Sequence, residues 1–458
     1  LENREKFSSR IGFLLISAGC AIGLGNVWRF PFITGQYGGA AFVLIYLFFL
    51  IILGLPILVM EYAVGRASQK SIARSFQVLE PKGTKWHWYS YVGMAGNYLL
   101  MMFYTTVAGW MISYFFKMLK GDFVNKTPQQ IENIFGNMLA DPKTLIFWML
   151  VVTTLGFLVC SLGLQNGVEK ITTVMMSCLF IVILVLIARS VTLDGASAGL
   201  KFYLIPDFAA VKKQGVMTVV SAAMGQAFFS LSLGMGCLCT YASYFRNDTN
   251  LPKTALNVAG IDTLVAILAG FIIFPAAFSV GIQPDAGPSL LFITLPNVFQ
   301  QAFGNIPWLA IALSIMFYVL LALAALTSTI SLHEVVTAYL HEEFKFTRGK
   351  AAKLVTAGCI VLGVLCSLSL GVGKSYTIFG LNLFDLFDFV TAKIMLPLGG
   401  FFISIFTGWY LDKKIVWEEV SNNGTLNIHI YRLLIFILKY IAPIGIGLIF
   451  INELGFFK

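Results

Sequence analysis

The chain has 458 residues, 58% hydrophobic and only 12% charged, where a soluble domain carries about 25% charged residues; this excludes a water-soluble globular protein and a disordered one. Its formal charge of +9 belongs, in so apolar a chain, to loops on one side of a membrane and not to a nucleic-acid surface. Runs of about 20 apolar residues cross a bilayer as helices, and eleven such runs leave little chain for a soluble catalytic domain.

Apolar runs that stop at charges, Gly, Pro or Asn predict an all-α polytopic membrane protein with eleven transmembrane helices, at 10–36, 39–65, 86–117, 144–162, 168–190, 217–244, 251–281, 308–341, 350–371, 377–410 and 430–455. The run after Arg10 continues without a small-residue cleavage pattern, so it reads as a retained helix and not a signal peptide. A start at Leu1 suggests that residues precede it. Lys and Arg collect in the leader and the inner loops, densest at Arg66, Lys70, Arg74, Lys82 and Lys85, while the short outer loops hold only Lys374. That asymmetry predicts a multi-pass protein of the cell inner (plasma) membrane, surrounded by lipid, with its amino terminus cytoplasmic and its carboxyl terminus outside. Residues 282–307 lack Lys and Arg and are too short in their apolar clusters to span; they read as a helical hairpin over the outer mouth, or else as a surface loop. Gly371-Val-Gly-Lys-Ser375 imitates a phosphate-binding loop, but Leu368 stands where its first Gly belongs. The seven cysteines (Cys20, Cys160, Cys178, Cys237, Cys239, Cys359, Cys366) all lie in apolar stretches, implying neither a disulfide framework nor a zinc site. Cys237 and Cys239 read as small apolar packing residues.

Two segments are interrupted at corresponding places, the first at Ser17-Ala-Gly-Cys-Ala-Ile-Gly-Leu-Gly-Asn26 and the sixth at Gly225-Gln-Ala-Phe-Phe-Ser-Leu-Ser-Leu-Gly-Met-Gly236. Gly inside a helix costs about 1 kcal/mol relative to Ala, and backbone freed at mid-membrane survives only where it lines a cavity. For an isolated Gly pair, close helix packing is the better explanation. Breaks five segments apart instead predict an inverted five-helix repeat with broken helices 1 and 6: a leader plus first half at 1–190, a second half at 191–410, and an inner loop with a last helix at 411–458.

These stretches, together with Arg10-Ile-Gly-Phe13, Ala21 to Pro31, Gly38-Gly-Ala-Ala-Phe42, Thr240-Tyr-Ala-Ser-Tyr244 and Ala325-Leu-Thr-Ser328, resemble the neurotransmitter:sodium symporter family over nearly the whole chain. Within it they are most similar to the bacterial tyrosine and aromatic amino-acid transporters, which likewise lack the twelfth span of most animal members. The resemblance implies a mid-membrane site between the broken helices. Backbone at Leu24 and Gly25 with the Tyr104 hydroxyl would hold a substrate carboxylate, and Ala21, Phe229, Ser230 and Ser232 its ammonium. It also implies two Na+ ions, one at Ala21, Asn26, Ser230 and Asp262, the other at Gly19, Ile22, Ala324, Thr327 and Ser328. Arg29 with Asp388 (or Asp385) resembles an outer gate, and Arg4 with Glu342, aided by Tyr244, an inner one. Phe7 stands where many members have Trp. Glu61 resembles the carboxylate that binds the freed backbone of the sixth segment, and Lys393 has no assigned role.

The side-chain subsite implied by the resemblance (Leu100, Tyr104, Phe229, Met235, Thr329, Leu332) contains no charge, and Gly19-Cys20-Ala21 stands where monoamine transporters place an Asp. A neutral α-amino acid is therefore expected, with tyrosine favoured because the thioether of Met235 adapts to bulky shapes. Asp262, with Ala266 one turn later, is expected to supply the negative charge that a bound chloride supplies elsewhere in the family. An aliphatic substrate, an amino-acid receptor and a passive channel are the alternatives. An enzyme is not expected: there are four His, and His333-Glu334 lacks the second His of a zinc-protease helix.

Overall fold

A computed structural model describes residues 6–7, 10–281, 290–303, 306–426 and 431–453. Among them there is no strand beyond an isolated bridge between Ile378 and Leu381. Among the described residues nine helices are long and apolar enough to cross a membrane: Ala40–Ser68, His87–Leu119, Pro142–Ser161, Leu164–Ser190, Leu251–Ser279, Trp308–Phe344, Arg348–Leu368, Leu383–Tyr410 and Tyr431–Asn452. A tenth forms if Gly12–Ala21 and Gly25–Gln36, bent by 53° at their junction, count as one span.

The expected eleven is thus not reached by length and composition among the described residues. The reason lies in the sixth segment, which divides into Val216–Ser230 and Cys237–Ala242, neither of spanning length alone. The tenth helix also starts later than 377. Residues 378–381 form a turn with Phe379 and Gly380 at φ 53° and 80°, and Asn382 caps the helix by accepting the Asp385 N–H at 2.9 Å.

The third segment (His87–Leu119) is the most enclosed, 78% buried in its most apolar stretch, against 28% for Leu164–Ser190 and Tyr431–Asn452, whose apolar faces look outward. It packs along the eighth (Trp308–Phe344), and the eighth also touches the first, fourth, fifth and ninth. This crossing of the third and eighth segments is the wall against which both breaks lie. At the end opposite the leader, Phe292 stacks on Phe135 at 5.0 Å and meets Trp110 at 5.6 Å. The hydroxyls of Tyr114 and Tyr318 donate to the carbonyls of Phe292 and Leu291. Of the expected hairpin, residues 282–289 and 304–305 lie outside the described residues.

Candidate substrate and ion sites at two helix breaks

The first break is held open by what its freed backbone meets. After Ala21 the chain leaves the helix and resumes in a wide π turn, Gly25–Arg29. A Cβ on Gly23 would sit 2.5 Å from Ser328 Oγ and 2.6 Å from Tyr104 Oη, so only Gly lets the first segment approach the third and eighth this closely. The Leu24 N–H donates to the Tyr104 hydroxyl at 3.1 Å, the Gly23 N–H to Asn26 Oδ1 at 3.1 Å, and Gln226 donates to the Gly25 carbonyl at 3.0 Å.

In the sixth segment Ser232, Gly234 and Gly236 all have positive φ. The Gly234 N–H donates to buried Glu61 at 2.6 Å, as the sequence led us to expect of that carboxylate. Two further partners escaped the sequence reading: Tyr89 donates to the Gly234 carbonyl at 2.7 Å and Asn97 to the Met235 carbonyl at 2.5 Å. An Asn in an otherwise apolar run was the available signal, since an amide buried there needs partners.

Two polar clusters flank the first break. In one, Asn26 Nδ2 donates to Asp262 Oδ1 at 2.8 Å and to the Ser230 hydroxyl at 3.2 Å, while Ser230 donates to Asp262 Oδ2 at 2.6 Å. Tyr46 donates to Ser230 at 3.4 Å. All four side chains are buried. In the other, Ser328 donates to the carbonyls of Ile22 at 3.2 Å and Ala324 at 3.3 Å, and Thr327 to Ala324 at 3.0 Å. The fold therefore joins Asn26, Ser230 and Asp262 from three segments, and Ile22, Ala324, Thr327 and Ser328 from two. Ala21 is buried at the end of its helix, whereas a Cβ on Gly19 would meet Thr172 and Met176 of the fifth segment. Hydroxyls, carbonyls and one carboxylate in close array suit a hard monovalent cation, which prefers oxygen to nitrogen or sulfur.

Between the breaks lies a cavity of about 20 Å³ lined by Cys20, Leu100, Tyr104, Ser232, Met235, Cys237, Ser328 and Leu332. Leu100, Tyr104, Ser232, Met235 and Leu332 were expected at the substrate; Cys20 and Cys237 were not, and their sulfurs are 2.9 Å apart. Leu24, Gly25 and Ser230 lie behind this lining in the hydrogen bonds above. Thr329 turns back to the Ala325 carbonyl at 2.8 Å. Phe229 lines a separate cavity of about 10 Å³ with Arg29 and Lys393.

In the wall of that second cavity the Arg29 guanidinium lies 4.2 Å from the centre of the Phe229 ring, a cation–π contact. Asp388 ends the short helix Leu383–Asp388, one turn after Asp385, which accepts a hydrogen bond from Asn382 at 2.7 Å. At the leader end, Arg4 lies outside the described residues. Glu342 accepts from the N–H and hydroxyl of Ser71, each at 3.0 Å. Tyr244 donates to Glu334 at 2.9 Å, and Arg348 reaches the other oxygen of Glu334 at 2.5 Å with side-chain exposures of 12% and 0%. Glu334 escaped the sequence reading because its partner Arg348 stands on a different segment. Phe7, buried, meets Tyr244 edge-on at 5.8 Å.

The model of the sodium:neurotransmitter symporter family matches residues 4–135 and 122–458. The sodium-dependent transporter YhdH of Bacillus subtilis is 34% identical over 453 residues, covering 98% of each chain. A sodium-dependent transporter of Haemophilus influenzae is 34% identical over 463 residues, covering 99% of each. Among solved structures, the crystal structure of MhsT in complex with L-phenylalanine matches with a TM-score of 0.88 and 38% identity, covering 98% of this chain and 100% of that one.

Proposed function

Because the chain belongs to the sodium:neurotransmitter symporter family, whose members are transporters and not enzymes, we propose that it couples an inward sodium gradient to uptake of a neutral, aromatic L-amino acid, tyrosine foremost. The observation that carries this reading is the cavity between the breaks, whose lining holds no charged side chain. A ligand there must carry charges that backbone dipoles and hydroxyls can meet, as a zwitterion does. In this reading the Leu24 N–H and the Tyr104 hydroxyl, bonded to each other at 3.1 Å, turn to the carboxylate, and the carbonyl ends at Ala21 and Phe229 take the ammonium. An aromatic ring needs more than about 20 Å³, so the lining must move apart to take it, and the unbranched Met235 is the residue suited to that. The relative crystallised with L-phenylalanine supports the aromatic choice.

Two sodium ions with a zwitterion bring a charge of +2 into a poorly solvated place, and each uncompensated ion costs several kcal/mol. Asp262 supplies one negative charge beside the first ion cluster, so transport proceeds without chloride. In this reading the halves 1–190 and 191–410 rock about the fixed site. Arg29 with Asp388 closes the outer side, and Glu342, Arg4 and Tyr244 the cytoplasmic side, in a plasma membrane with the leader inside.

The test is uptake of radiolabelled tyrosine into proteoliposomes under an inward gradient of sodium or choline, in chloride or gluconate. Accumulation with sodium in either anion is expected. Equal uptake in sodium and choline would overturn the coupling, and a requirement for chloride would overturn the role of Asp262. Tyrosine bound but never accumulated would favour a receptor, and stronger competition by leucine than by phenylalanine an aliphatic substrate.

A further inference from the structure

Cys20 is the last residue but one of the helix that ends at Ala21, and Cys237 opens the helix that follows the sixth-segment break. Separated by 216 intervening residues, their sulfurs meet at 2.9 Å in the wall of the cavity, both side chains almost wholly buried. A disulfide is about 2.05 Å long, so the pair lies within about 1 Å of bonding. Cys160 and Cys359 are placed otherwise, against a carbonyl and two threonine hydroxyls.

The chain on either side of this pair also meets through aromatic rings at the leader end, from Phe7 and Phe13 on one side and from Tyr241, Tyr244 and Phe245 on the other. Phe13 lies 5.0 Å from Phe245, and Phe7 packs on Tyr241 and Tyr244 at 6.2 and 5.8 Å. A covalent tie between Cys20 and Cys237 would hold these packed segments together.

We propose that Cys20 and Cys237 are a redox-reactive dithiol in the cavity wall, which hydrogen peroxide converts to a disulfide that ties the first and sixth segments together and arrests transport. One thiolate attacks a peroxide oxygen, the O–O bond breaks, and hydroxide leaves. The second thiolate then attacks the sulfenic sulfur, the S–S bond forms, and a second hydroxide leaves. The two thiol protons convert both hydroxides to water, so two thiols are oxidised and one peroxide reduced. A dithiol reductant reverses the step by exchange. The arrest of transport rests on the proposed function; the cross-link does not.

The experiment exposes the full chain in proteoliposomes to hydrogen peroxide, blocks remaining thiols with N-ethylmaleimide, and maps peptides without reduction while following tyrosine uptake. A Cys20–Cys237 peptide pair two hydrogens lighter than its parts is expected. Uptake is expected to fall in proportion to the cross-linked fraction and to return with dithiothreitol. Cys20→Ser and Cys237→Ser, each scored against its own untreated uptake, are expected to lose this sensitivity. A wild-type map without the pair overturns the proposal whether or not the variants fold, and cross-linking with undiminished uptake overturns the clamp. Cross-linking in a preparation that never accumulates tyrosine counts against the proposed function and leaves the dithiol standing.

Discussion

Asp262 is buried, yet its two carboxylate oxygens each receive a donor, Asn26 on one and Ser230 on the other. A charge so placed is stable only while those donors or a cation face it. On the proposed role of Asp262, Asp262→Asn removes the charge that balances the sodium, so sodium-driven uptake is expected to fall by at least about tenfold, the equivalent of 1.4 kcal/mol. Adding Ala266→Ser, one turn along the same face, is expected to restore part of it in chloride but none in gluconate, which paired uptake assays in the two anions resolve. Met235 offers a test of size in place of charge. It packs against Gly96 and the cavity, and Met235→Phe sets a stiff ring where a flexible chain stood. Competition among Tyr, Trp, Phe and Leu is expected to shift toward Leu; an unchanged order would remove Met235 from the subsite.

Helices are tied together at the leader end by charges whose value depends on burial. Arg66, at the end of Ala40–Ser68 and 5% exposed, pairs with Glu419 at 2.5 Å and donates to the carbonyls of Thr249 and Glu419, knitting the second segment to the loop after the sixth and to the helix Lys413–Ser421. Arg74 binds both carboxylate oxygens of Glu343, but the two side chains are 41% and 30% exposed. Truncating the buried partner strands a carboxylate and several carbonyls, so Arg66→Ala is expected to cost about 3 kcal/mol. Arg74→Ala is expected to cost less than about 1 kcal/mol, because water solvates what it leaves. Denaturation midpoints of the two variants in detergent check the ranking, which equal losses would contradict.

For the whole molecule, an ion that binds the folded chain and not the unfolded one must stabilise it, by about 2.7 kcal/mol at a concentration one hundred times its dissociation constant. Thermal unfolding in detergent is therefore expected to shift upward with sodium and not with choline at equal ionic strength. Thr327→Ala with Ser328→Ala removes the hydroxyl that joins the eighth segment to the Ile22 carbonyl and the two that turn back to the Ala324 carbonyl of their own helix. This double variant is expected to lose most of the sodium-dependent shift and, through linkage, to weaken substrate binding. A full shift in the double variant would place the ion elsewhere.

What the sequence determined by itself was whatever a local pattern dictates. Apolar length set the helices, because lipid offers the backbone no partner and each span must satisfy its own hydrogen bonds. Gly-rich interruptions set the two breaks, because Gly there is costly unless the freed backbone has a use. Among the described residues length and composition give nine or ten spans, because the sixth break leaves two short helices. Asn26, Ser230 and Asp262 were legible as a set only through resemblance to a family, since nothing in their spacing brings three segments together. Tertiary structure alone decided which distant residues share a partner. Tyr89 and Asn97 bind the second break, Glu334 finds Arg348, and Cys20 faces Cys237. Each of these depends on how helices cross, which packing fixes and one-dimensional periodicity does not record.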